Sequence, residues 1–169
     1  ALESVQQLIT QATREPLPVT VEELQAYQAW WSLMIGDMDS ASHWRRTLDP
    51  QTVPVYTQEQ VYLVLARIMI AQGEPEEALS LLDRWLTLAQ TQGRAGSALT
   101  LCALRSLALY AMGEAQQAQH IIAQVLTQTQ PEGYMRLFLD EGIAMAVLLR
   151  AVRPRISEPA LTLYIDTLL

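Results

Sequence analysis

Few residues in this chain combine the types and spacings that chemistry needs. The sequence holds two histidines, His43 and His120, and one cysteine, Cys102. The histidines fall in different segments, with no cysteine nearby and no carboxylate at ligand spacing, so surface or interhelical positions are expected and no metal site. Asp140 and Glu141 are neighbours, and adjacent residues on a helix do not share a face. Asp140 is therefore expected to cap a helix and to pair with Arg136, four residues before it. Lysine does not occur: all eleven positive charges are arginines, set against eighteen carboxylates for a net charge of −7. A phosphate-loop lysine, a Schiff-base lysine and a lysine general base are thereby excluded within these residues. Arg150, Arg153 and Arg155 form the one local basic cluster and read as a solvated helix end. An acidic chain without a basic stripe is poorly suited to the phosphate backbone, so direct contact with nucleic acid is not expected. The reading is non-enzymatic, with no catalytic residue, no cofactor and no metal.

Cys102 sits inside the apolar run LTLCALRSLALYA, where a small core role is expected. A single cysteine precludes an intrachain disulfide framework and fits a reducing, cytoplasmic compartment. The run from Ser97 to Met112 is shorter than the ~20 residues that span a bilayer and carries Arg105 at its middle, so it reads as a buried helix, not a membrane span. The chain opens ALESVQQLITQA, with neither methionine nor signal peptide, and reads as a segment of a larger protein.

The elements that must position these residues are announced by a repeat. Thr20, Ala29, Gly36 and Ala41 recur in the same register as Thr57, Ala66, Gly73 and Ala78, and again as Ser97, Ser106, Gly113 and Ala118. Each hydroxyl can cap a helix start, each glycine can end that helix, and the small residues mark where two helices approach closely. The pattern predicts stacked helical hairpins at a solenoid's period. Thr20 with Glu23 and Thr57 with Gln60 read as capping boxes, stapled by Val19 to Leu24 and by Tyr56 to Val61. Second helices are expected over Asp37 to Leu48, Glu74 to Ala89 and Glu114 to Leu126, starting with acidic residues that suit a helix N-terminus. The whole chain, 1–169, reads as one helical-repeat domain. Within it, 1–14 is the helix of a truncated repeat, 20–50, 57–92 and 97–130 are hairpin repeats, and 131–169 is a terminal helical unit. In that last unit helices are expected over Tyr134 to Leu139, Glu141 to Val152 and Glu158 to Leu168, the last two capped by Asp140 and Ser157.

The segments GDMDSASHW, GEPEEALSLL and GEAQQAQHII resemble the turn and second-helix alanine of the tetratricopeptide repeat. The stretches LVLARIMIAQGEPEEALSLLDRW and PEGYMRLFLDEGIAMAVLLRAV are similar to the helical-repeat region of large bacterial LuxR-type regulators of the MalT kind. This resemblance implies an all-α fold, a right-handed solenoid of tetratricopeptide-like hairpins. It implies a sensor or relay arm that lies, in the family, between a STAND-class nucleotide-binding module and a C-terminal helix-turn-helix. The implied partner is an effector small molecule or a regulatory protein, with self-association of the full-length regulator and no membrane contact. Carrying the family's groove positions over in register marks Trp30, Leu63, Arg67 and Leu107, with Tyr110 about one turn beyond. Trp30 and Arg67 are candidates to stack on, or pair with, a small polar ligand, with packing of Trp30 against a neighbouring repeat as the reading set against it. Arg84, on a second helix, is expected to face outward. The competing reading is an interaction scaffold that docks a peptide or helix.

Overall fold

A computed structural model describes residues 20–169. The predicted helix over 1–14 and the staple from Val19 lie outside the described residues. Among those described, every regular element is helical. Two compact units, Ala1–Glu74 and Pro75–Leu169, divide the chain, and the boundary falls in the turn of the second predicted hairpin.

The first unit contains α1 (Val21–Met34), α2 (Met38–Arg45) and α3 (Glu59–Ala71), the last entered through a 3-10 turn at Tyr56–Gln58. Helix α1 packs against both α2 and α3. Its start is the capping box expected from the sequence. Thr20 Oγ1 accepts from the Glu23 N–H at 3.1 Å, and the Glu23 carboxylate accepts from the Thr20 N–H at 2.9 Å. Helix α3 buries residues almost all round, from Val61 through Ala66 and again at Ile68 and Met69. A helix apolar on more than one face is packed on more than one side.

The second unit contains α4 (Pro75–Thr91), α5 (Ala95–Ala111), α6 (Ala115–Thr129), the short α7 (Arg136–Leu139), α8 (Gly142–Val152) and α9 (Pro159–Leu168). Helix α5 is sandwiched between α4 and α6, and α8 and α9 close onto α6. Arg105, inside the apolar run, bonds Asp83 of α4 at 2.6 Å. No helix of the described residues is long and apolar enough to cross a membrane.

The repeat signal maps onto one physical device. Gly36, Gly73 and Gly113 adopt φ of 83°, 79° and 86°, a region that L side chains enter only at a cost. Around each, the glycine N–H and the N–H after it bond back to the ends of the helix just finished: Gly36 to Leu33 and Asp37 to Ser32, Gly73 to Ile70 and Glu74 to Met69, Gly113 to Tyr110 and Glu114 to Leu109. This is the Schellman closure, which satisfies carbonyls that a helix end leaves open. The small residues are all in the core: Ala29, Ala41, Ala66, Ala78, Ser106 and Ala118 are buried. A larger side chain at any of them would displace a neighbouring helix.

Four predicted caps are corrected. Thr57 does not cap α3; the 3-10 turn intervenes, Gln58 takes the cap position without a side-chain bond, and Tyr56 is exposed in place of stapling to Val61. Ser97 lies within the first turn of α5, where it accepts from Arg94 Nη1 at 2.7 Å, and Arg94 is the cap residue. Asp140 and Ser157 do not cap α8 and α9, whose cap positions are Glu141 and Glu158. Asp140 is instead the partner of Arg136, as its i, i+4 spacing predicts, at 2.6 Å.

Candidate functional site

The first unit brings two of the predicted residues together. Trp30 on α1 and Arg67 on α3 meet because α1 and α3 pack side by side, and the Arg67 guanidinium carbon lies 4.8 Å from the Trp30 ring centroid. Tyr27, one turn back on α1, sits 6.5 Å from Trp30 with its ring tilted by 38°. All three side chains are half-buried. The guanidinium over the indole is a cation–π contact, which also fixes the arginine's orientation.

The other predicted residues are placed differently. Leu63 is 3% exposed and is a core residue of α3. In the second unit, Leu107 is 6% exposed while Tyr110, also on α5, is half-buried. Arg84 does not face outward: it is half-buried, with its Nε shielded from solvent. His43 is exposed, and His120 is exposed and pairs with Gln124 at 3.1 Å. The basic cluster is partly neutralised, because Arg153 holds Asp166 through two bonds of 2.8 Å.

Two features escaped the sequence reading. A cavity of about 530 Å³ opens between α1 and α2, lined by Gln25, Gln28, Ser32, Asp37, His43 and Trp44 among others. Asp37 caps α2 by accepting from the Ser40 N–H at 3.1 Å. Hydrogen bonds from Ser40, side chain first and backbone second, hold its carboxyl below the usual value. The signal was present in the sequence as an acid following the helix-ending glycine, but nothing there showed which polar residues of α1 it would face. A second cavity of about 460 Å³, in the second unit, is lined by Arg94, Leu99, Cys102, Ile121, Gln124 and Gln128. Cys102 is half-buried, and burial raises its thiol above the ordinary value while Arg105 opposes this. A raised thiol is a poor nucleophile, which agrees with a packing role. Among the described residues no cluster of histidine, cysteine and carboxylates could hold a metal ion.

Comparison with known proteins gives one match. The family described as the MalT-like TPR region aligns with residues 1–155. Neither the curated proteins nor the solved structures contain a match. The helical hairpins, their glycine closures and this alignment over most of the chain agree, and the chain belongs to the MalT-like TPR region family.

Proposed function

We infer that this chain is the sensor and relay domain of a LuxR-family transcriptional regulator, non-enzymatic in itself. It binds an effector or a partner protein and couples that event to self-association and DNA binding by other domains. Family membership carries this reading, and the half-buried Arg67–Trp30 stack marks where α1 and α3 meet on a mixed polar and aromatic surface. The region's family association is with protein interaction. The compartment that suits this role is the cytoplasm. The test is a reporter strain producing the full-length protein with or without this segment. Inducer-dependent transcription is expected only with the segment present; an unchanged response in its absence refutes the reading.

A scaffold that docks a helix has one observation in its favour. Ile143 and Val147, one turn apart on α8, are both exposed, Ile143 by 84%. Such a pair suits an amphipathic partner helix. Loss of partner capture in Ile143→Asp, with inducer response intact, would favour this alternative.

A further inference from the structure

We propose that the cavity between α1 and α2 is a binding site for a small organic ammonium ion that also carries a hydroxyl. The argument starts from the charges of the wall. Asp37 is the one formally charged residue lining it, and no arginine does. Its carboxylate gives one oxygen to the α2 cap and has no ion-pair partner among the described residues. Beside Asp37 the wall holds amides, hydroxyls and the His43 imidazole, and with His43 neutral its single negative charge repels anions and favours a cation.

The aromatic residue strengthens that preference. Trp44 lines the same cavity, and an indole face attracts an ammonium group more strongly than the other aromatic side chains do. A carboxylate and an indole together are what a quaternary or primary ammonium needs. The hydroxyl requirement comes from Ser32. It is 4% exposed, it lines the cavity, and its hydroxyl has no hydrogen-bond partner among the described residues. The cavity is the side from which a partner for that hydroxyl can come. Gln25 adds a further donor and acceptor on the α1 side. The volume, about 530 Å³, falls in the range of small-molecule sites.

This inference rests on the effector-sensing reading only for what binding does, so the test reads binding alone. Choline is titrated into this chain by calorimetry beside its neutral carbon isostere, 3,3-dimethylbutan-1-ol, with ethanolamine as the primary-ammonium probe and sorbitol as a neutral polyol. Choline or ethanolamine is expected to bind, and choline at least about threefold more tightly than its isostere, the contribution of one partly exposed cation–π contact with its counter-charge. Asp37→Asn should remove that preference without lowering the melting temperature, since asparagine caps a helix as well as aspartate does. Trp44→Leu should weaken choline binding, with circular dichroism confirming the fold. Ser32→Ala should weaken choline while leaving tetramethylammonium, which lacks the hydroxyl, unaffected. Absence of binding by both ammonium probes, equal binding of the isostere, or preferential binding of sorbitol overturns the proposal. A failed titration leaves the regulatory reading to its own reporter test.

Discussion

The same chemical change, glycine to alanine, should act with opposite sign at two positions around α5. Gly113 has φ +86°, and a methyl built on it meets nothing within 4 Å. Packing therefore contributes no penalty, and the cost is that of a left-handed backbone, about 1–2 kcal/mol. Restricting the unfolded chain returns about 0.4–1 kcal/mol of this. Gly113→Ala should thus lose about 1 kcal/mol net. Gly96 lies inside α5, without a positive φ, and its added methyl also meets nothing within 4 Å. Gly96→Ala should gain about 0.5 kcal/mol, the lower end for a helical glycine because it sits in the first turn. In a domain of this size the two variants should melt about 3–6 °C apart. The assay is thermal and urea denaturation followed by circular dichroism at constant protein concentration. A Gly113→Ala protein as stable as the parent, or a Gly96→Ala protein that loses stability, would refute the assignment of the repeat glycines to left-handed closures.

The caps supply a second contrast: Thr20→Ala should cost about 1 kcal/mol, whereas Thr57→Ala should stay within about 0.5 kcal/mol of the parent because its hydroxyl caps nothing, both read from urea midpoints. Ala118→Leu, which adds bulk to a buried position of α6, should cost about 1–3 kcal/mol by overpacking, and melting unchanged from the parent would misplace that core contact. Hydrogen bonding to Arg153 lowers the Asp166 carboxyl in the folded state. Its contribution is therefore present above the ordinary carboxylate range and lost as pH falls through the folded value. The melting-temperature gap between the parent and Asp166→Asn should accordingly close on acidification, and a gap that widens would contradict the pairing.

Architecture was legible in the sequence because the closure needs particular residues. A left-handed turn after a buried helix selects glycine, and close helix approach selects alanine or serine, so Gly36, Gly73 and Gly113 stood out with Ala41, Ala78 and Ala118. Helix starts were less legible. Thr20 caps as read, but Thr57 and Ser97 share its register without sharing its geometry, since a 3-10 turn or an arginine can occupy the same place. The site was legible only in part. Trp30 and Arg67 fall on matching rungs and turn out to contact each other, whereas the apolar Leu107 at that register and Leu63 one turn earlier in its own helix are drawn into the core by burial. The cavity around Asp37 and Trp44 depends on how α2 lies across α1, which no spacing in the chain encodes.

If this domain senses and relays, inducer-dependent transcription by the full-length protein carrying Arg67→Ala or Arg150→Ala will show it directly. Arg150 is exposed on α8 and serves as the control. Arg67→Ala should weaken the response while the domain stays folded, and Arg150→Ala should change neither. A full response in Arg67→Ala, equal losses in both variants, or collapse of the Arg67→Ala fold would contradict the account.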